Sequence, residues 1–165
     1  MKVRIPALDT ESHWCRLASV MAGNLRGVAF FPEVNDEVVV AFQNGDPNYG
    51  YVLGAVWNGN DKLPKPLGQL VTGGSTIRRV MKSRLGHEIT IDDSPDPTEG
   101  ILLIDKTTKN LIRIITKENK ILIEAQQDIE ITSKTGKVKI SGLRGVDIEG
   151  TPGQVNIKGT RINMN

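Results

Sequence analysis

Few residues of this chain have the types and spacing that catalysis requires. His13 precedes Trp14 and Cys15, and a Cys–His pair can supply a nucleophile and its base. Side chains alternate between the two faces of a strand, which puts His13 and Cys15 on one face, but no third partner is visible. A small buried thiol is the alternative for Cys15. No catalytic residue is predicted, and the protein is predicted not to be an enzyme.

Groups that could hold a metal or a phosphate are as sparse. The two histidines are 74 residues apart and cannot form a zinc site without several carboxylates, although three copies of His87 could meet on the axis of a trimer. Residues 92–96 (DDSPD) could gather a calcium ion, but they lack a known calcium motif and are interpreted as a solvated acidic turn. Residues 73–76 (GGST) precede neither a lysine nor a helix and are interpreted as a flexible neck. No metal and no cofactor are predicted.

The composition of the chain limits the classes of protein to which it could belong. Lys plus Arg is 21 and Asp plus Glu is 19, a balance that does not indicate a nucleic-acid binder. The longest apolar runs have about four residues, too short for a membrane span. No secretory signal is visible, and the single Cys15 excludes an intrachain disulfide framework, so folding in a cytoplasm is predicted.

The first half of the chain has the composition of a small β-barrel. All seven aromatic residues fall within the first 57 positions, where large rings can build an ordinary core. Turn residues separate five short apolar runs, and no helical period is sustained. The predicted strands are residues 2–5, 14–18, 27–31, 37–42 and 51–57. Five short strands that must hide their edges favour a partly closed barrel of the OB (oligonucleotide/oligosaccharide-binding) type. This half has a net charge of −2, which argues against a single-strand nucleic-acid site.

The second half is a repeat of aliphatic pairs separated by one polar residue. From Ile112 the first members of the pairs follow each other at steps of 9, 8, 9, 8 and 9 residues, and an earlier pair is Ile89/Ile91. A fixed period of short strands is typical of stacked β-structure, and each pair points to one face. The residues predicted to point inward are Ile112, Ile114, Ile121, Ile123, Ile129, Ile131, Val138, Ile140, Val146, Ile148, Val155 and Ile157.

Two arrangements could bury these pairs. One chain could wind into a solenoid, but eight or so strands would give fewer than three coils, and no capping helix is visible. Alternatively, three chains could wind about one axis, each supplying one side of a triangular prism. In a trimer, all strands of the chain can find partners without any further segment. The trimer is therefore the favoured prediction.

A specific combination of motifs resembles the spike proteins of contractile injection systems. Its pieces are residues 14–19 (WCRLAS), 30–42 (FFPEVNDEVVVAF), 45–47 (GDP), 51–59 (YVLGAVWNG) and 82–93 (KSRLGHEITIDD). The chain resembles the phage baseplate assembly protein V family, the valine-glycine-repeat spike of type VI secretion, and the spikes of extracellular phage-tail-like particles. That family usually has glycine where this chain has Asn35, a residue that also tolerates left-handed backbone.

The resemblance implies a fold, an organisation and a role. The fold is all-β, with an N-terminal OB-fold barrel followed by a C-terminal intertwined trimeric β-helix. The implied organisation is an OB-fold domain at residues 1–62, a neck at 63–84 and a β-helix spike at 85–165. The implied role is a structural, membrane-puncturing central spike at a baseplate. Its implied partners are itself, a hub protein at the OB end and, transiently, the target cell envelope. The spike would be assembled in the cytoplasm into a phage tail or tail-like particle.

Three departures from the family shape these expectations. The chain starts at the OB strand, so the hub is expected to be another polypeptide unless this is a fragment. Residues 63–84 are too few for the lysozyme domain of some phage spikes. The end lacks the His-x-His tip that holds iron in several spikes, so a separate tip protein of the PAAR (proline-alanine-alanine-arginine) type is favoured over a truncated chain. The residues expected to contact it are Ile162, Asn163, Met164 and Asn165. A single-chain solenoid serving as a binding module or adhesin remains the alternative to the spike, and a wall hydrolase is a more distant one.

Overall fold

The computed structural model describes residues 1–150 and 152–162 and consists mostly of strands. Two compact units are present, Met1–Glu124 and Ala125–Asn165. In the described chain, helix is limited to the single turn α1 (Leu67–Leu70) and to 3-10 turns at Pro6–Leu8 and Gln43–Gly45. The strands are β1 (Arg4–Ile5), β2 (Thr10–Glu11), β3 (Arg16–Leu17), β4 (Ala22–Gly23), β5 (Arg26–Gly27), β6 (Val38–Phe42), β7 (Gly50–Ala55), β8 (Val71–Thr72), β9 (Ser75–Thr76), β10 (Arg78–Lys82), β11 (Glu88–Asp92), β12 (Gly100–Ile104), β13 (Leu111–Ile115) and β14 (Lys120–Glu124). The predicted all-β class is confirmed.

The N-terminal strands form a three-stranded sheet and two hairpins. β7 lies between β3, to which it is parallel, and β6, to which it is antiparallel. β1 pairs with β2, and β4 pairs with β5. The register of β6 against β7 shifts between Val39 and Val40, opposite Gly54, which agrees with the bulge that a glycine within a strand indicates. Asn35 has a φ of +80°, the left-handed backbone expected at this position.

The aromatic residues do not form the predicted core. Trp14, Phe30 and Phe31 are about three-quarters exposed, so the expectation that large rings fill the barrel is wrong for this chain on its own. The reason is the shortness of the strands: two-residue strands such as β3 to β5 leave the sheet too narrow to enclose a large ring. The side chains that are buried here are small, namely Ser12, Cys15 and Val52.

Residues 78–124 form the most regular part of the chain, an antiparallel meander. β10 to β14 pair in sequence order in one five-stranded sheet. The first residue of β12 is Gly100, which has a φ of +141°, and a Cβ at this position would lie 1.9 Å from the carbonyl oxygen of Ile114. Only glycine therefore allows β12 and β13 to approach as closely as they do.

The segment predicted as a neck, residues 63–84, contains α1, β8, β9 and β10. Gly73 and Gly74 have φ values of +58° and +81° and form the tight turn of the β8–β9 hairpin. Positive φ at two successive residues is the geometry of a two-residue hairpin, so residues 73–76 form a regular turn, and their interpretation as a flexible neck stays a prediction.

Residues 125–150 and 152–162 contain neither helix nor strand in the single chain, and their side chains are almost all exposed. None of the helices in the described residues is long and apolar enough to cross a membrane.

Candidate assembly surface

One face of the five-stranded sheet is apolar and exposed. We call it the open face. Cross-strand pairs line it in register: Ile89 lies opposite Leu103, Leu103 opposite Ile112, and Ile112 opposite Ile123. The aliphatic side chains of the open face are Met81, Ile89, Ile91, Ile101, Leu103, Ile112, Ile114, Ile121 and Ile123, each between 37% and 68% exposed. Soluble proteins rarely expose a continuous apolar patch of this kind unless it contacts a partner.

The predicted inward residues beyond the sheet are exposed in the same way. Each of them is between 47% and 68% exposed. They are Ile129, Ile131, Val138, Ile140, Val146, Ile148, Val155 and Ile157. The prediction that they face an axis between chains stays a prediction. Of the expected tip contacts, Ile162 is half exposed, whereas Asn163, Met164 and Asn165 lie outside the described residues.

The opposite face of the sheet, which we call the covered face, buries polar groups. Glu88 is 8% exposed and Thr90 is 5% exposed. Lys65 reaches across from the segment before α1, and its Nζ lies 2.7 Å from Glu88 Oε1. The Thr90 hydroxyl donates to the same carboxylate at 2.6 Å, and Lys82 lies 3.7 Å from its other oxygen. The sheet therefore buries charge on one face and exposes aliphatic residues on the other.

Arg78 organises the second half of the covered face. Its Nε donates to Asp92 at 2.7 Å, and one terminal nitrogen donates to Asp96 at 2.9 Å and to Ser94 at 3.2 Å. Its other terminal nitrogen donates to the backbone carbonyl of Gln69 at 3.3 Å. This geometry corrects the interpretation of residues 92–96 as a solvated turn at two positions, Asp92 and Ser94, whereas Asp93 and Pro95 are exposed. Asp92 and Ser94 are buried, because Arg78 on the paired strand neutralises the carboxylate.

These contacts shift the pKa values of the carboxyl groups. Burial acts to raise the pKa of Glu88 and of Asp92, but hydrogen bonds from Lys65 and Thr90 to Glu88, and from Ser94 and Arg78 to Asp92, outweigh burial and lower both values. Hydrogen bonds from Thr98 lower the pKa of Asp96 to about 2. The pKa of the Arg78 guanidinium is raised, chiefly by its hydrogen bond to Asp92. All of these groups are therefore charged near neutral pH.

The lowered pKa values predict a loss of stability in acid. A carboxyl group whose pKa is lower in the folded state stabilises the fold above its unfolded pKa of about 4, and this contribution disappears as the pH falls through the folded value. We expect urea midpoints to be constant from neutral pH to about 5 and to fall steadily towards pH 2. Asp92→Asn should be less stable at neutral pH and should lose less on acidification. An equal acid loss in Asp92→Asn would contradict the assignment.

The residues considered for chemistry are not brought together. Cys15 is buried, and its Sγ lies 3.3 Å from the hydroxyl of Ser12, whereas His13 is exposed. Cys15 is therefore the small buried thiol of the alternative interpretation. His87 is exposed directly before β11. In the described residues, no group of three or more His, Cys, Asp or Glu side chains could hold a metal ion.

Sequence reasoning missed the covered face and part of the open face. Glu88, Thr90 and Asp92 alternate with Ile89 and Ile91. This alternation of polar with aliphatic residues was the signal in the sequence for a second buried surface. Ile101 and Leu103 were not recognised as a pair, because residues 101–104 are all apolar and show no alternation.

The first 57 residues match a known class of domain. Residues 1–57 match the family described as the type VI secretion system/phage-baseplate injector OB domain. The OB domain predicted from the strand pattern is thereby confirmed.

Several spike proteins are similar to this chain. It is 25% identical over 107 residues to the type VI secretion system spike protein VgrG1a of Pseudomonas aeruginosa, covering 63% of this chain and 17% of that protein. It is 26% identical over 104 residues to VgrG3 of Vibrio cholerae, covering 63% and 10%. It is 41% identical over 59 residues to VgrG4b of P. aeruginosa, covering 36% and 7%. The chain thus spans less than a fifth of the length of these relatives. The resemblance to the spike family of contractile injection systems is confirmed.

Proposed function

We propose that the protein is the structural central spike of a contractile injection system, in which three copies wind about one axis. The OB domains would form a collar, and residues 85–165 would form a triangular β-prism that is driven through the target envelope. Force would be transmitted by a shaft without free sheet edges along its length.

The open face is the observation that carries this proposal. An isoleucine or leucine gains roughly 1.5–3 kcal/mol when it is moved from water into a core, so the open face of one chain leaves a large driving force unused. In a prism of three chains, the open faces would meet at the axis. The charged network of the covered face would then lie outward, beneath the segment that contains Lys65 and α1. The proposal therefore assigns the contacts between chains to the open face and none to the covered face.

The single-chain solenoid is less well supported. A solenoid would pair its strands within one chain and bury the aliphatic pairs there. In the described part of the second unit, the single chain has no strands, and the pairs from Ile129 to Ile157 remain about half exposed or more. This segment therefore lacks the pairing partners that a solenoid would provide.

The remaining parts of the proposal concern partners and place. A hub protein would bind the OB end, and a PAAR-type tip protein would bind the end at Ile162, Asn163, Met164 and Asn165. The spike would be assembled in the cytoplasm into a phage tail, a type VI apparatus or a tail-like particle. It would contact the target envelope only transiently, bind no nucleic acid and catalyse no reaction. The names of the relatives, all of them spike proteins, support this mechanical role.

The proposal predicts the mass of the protein in solution. Light scattering on a size-exclusion column is expected to give three times the chain mass of 18.1 kDa. Because intertwined chains can separate only by unfolding, the trimer band should also persist in detergent until the sample is boiled. A mass of 18.1 kDa for the folded protein would contradict the trimer and would favour the single-chain binding module.

A further inference from the structure

We propose that the turn formed by residues 142–145, together with the lysines that precede it, binds the anionic headgroups of a lipid membrane. This inference rests on the proposed function, because it takes the turn to be present in three copies around the shaft. It assigns the proposed contact with the target envelope to a defined surface of the shaft.

The turn is built to project two side chains. The Gly145 amide donates to the Gly142 carbonyl oxygen at 3.2 Å and closes the turn. A Cβ on Gly142 would lie 2.1 Å from the Gly145 carbonyl oxygen, and Gly145 has a φ of +134°. Both ends of the turn therefore favour glycine, and this tight closure directs Leu143 and Arg144 away from the chain.

Leu143 does not belong to the inward series. It lies between the pair Val138/Ile140 and the pair Val146/Ile148, at the position where the chain turns. Its side chain is fully exposed, at 105% of the reference area, whereas the members of these pairs are between 47% and 68% exposed. Connections between the strands of a prism lie at its outer corners, where an unneeded leucine would cost solubility. An exposed apolar side chain beside cations can insert at the boundary between headgroups and acyl chains.

The lysines around the turn form a basic belt. Residues 133–144 contain Lys134, Lys137, Lys139 and Arg144 and no acidic residue. All four cations are exposed, and no ion pair found among the described residues involves them. Acidic residues flank the belt on both sides, Asp128 and Glu130 before it and Asp147 and Glu149 after it.

Three copies would concentrate this charge. The belt spans one to two strands of the repeat, or about 10 Å along the axis, so three chains would place four cations each within about one Debye length along the shaft. Polybasic clusters of this size bind anionic lipid surfaces, and an adjacent apolar side chain inserts at the boundary between headgroups and acyl chains. A nucleic-acid site would instead use stacking aromatic residues, and none follows Trp57.

The chain contains its own matched control for the leucine. Leu25, Arg26 and Gly27 repeat the Leu-Arg-Gly order at the β4–β5 turn, and Leu25 is 100% exposed. That turn lies in the half of the chain that has a net charge of −2. Lys117 and Lys120 are the control for charge, because both are exposed but flank an acidic residue, Glu118.

The test is co-sedimentation of the full chain with vesicles of phosphatidylcholine alone or mixed with phosphatidylglycerol. We expect binding to the mixed vesicles to be at least about tenfold tighter than to the neutral ones, and to weaken steeply as salt is added. The double variant K137E/K139E should lose about tenfold or more of this binding, and Leu143→Ser should lose several-fold. The controls K117E/K120E and Leu25→Ser should remain within about twofold of the wild type.

Three results would overturn the membrane contact while leaving the spike intact. They are equal binding to neutral and anionic vesicles, equal losses in the belt variants and their controls, and tighter binding to duplex DNA than to vesicles at the same salt. Light scattering of every sample separates the two proposals. A trimeric wild type with no lipid preference contradicts the contact alone, whereas a monomeric wild type contradicts the spike. Loss of the trimer in Leu143→Ser would show that Leu143 is buried between chains.

Discussion

Ile131→Lys is expected to abolish the trimer. Ile131 belongs to the series predicted to point inward and is 68% exposed in the single chain, so in the proposed trimer the other chains would bury it. With three chains around one axis, one substitution places three ammonium groups in a dry space, where each costs several kcal/mol and repels the others. Size-exclusion light scattering should show the mass falling from three times 18.1 kDa to that of a single chain or to aggregates.

Thr132→Lys is the matched control for this variant. It adds the same charge one position further along the chain, where the strand alternation of the proposed prism would direct the side chain to the opposite, outward face. We expect Thr132→Lys to remain trimeric, as should Ile131→Val, which removes one methylene per chain at about 1 kcal/mol each. A trimeric Ile131→Lys would show that this residue does not face the axis. Equal dissociation of Ile131→Lys and Thr132→Lys would refute the alternation itself.

Most of the open face could be predicted from sequence because the alternation that defines it is local. The alternation of Ile112 and Ile114 determines which side chains share a face, whatever the strand pairs with. The structure then places Ile112 opposite Ile123 and Ile114 opposite Ile121, so the repeat period and the strand register agree. The left-handed backbone at Asn35 could be predicted for the same reason, since it depends on one residue and its turn.

The covered face and the aromatic residues could not be predicted in this way. Arg78 meets Asp92 only because β10 and β11 pair in one register across 14 residues, and no local pattern records that pairing. Trp14 and Phe30 show the opposite difficulty. Their composition indicated a core, but burial of a large ring depends on which surfaces close over it, and the single chain supplies none.

Arg78→Met is expected to destabilise the fold by about 3–5 kcal/mol, the usual cost of removing one partner from a buried ion pair. Methionine retains much of the side-chain volume but leaves the carboxylate of Asp92, which is 8% exposed, without its cation. It also removes the donors to Ser94 and to the Gln69 carbonyl, and thereby releases the segment that covers the sheet. The measurement is the urea midpoint at neutral pH and fixed protein concentration.

Arg84→Met provides the comparison with an exposed ion pair. Arg84 lies 3.2 Å from Glu33, and the two side chains are 75% and 56% exposed, so its loss should cost no more than about 1 kcal/mol. The double variant R78M/D92N should recover part of the stability that Arg78→Met loses, because no charge then remains buried without a partner. If Arg78→Met and Arg84→Met lowered the stability equally, the Arg78 network would contribute no more to stability than an exposed ion pair. The sheet would then owe the order of its covered face to backbone pairing alone.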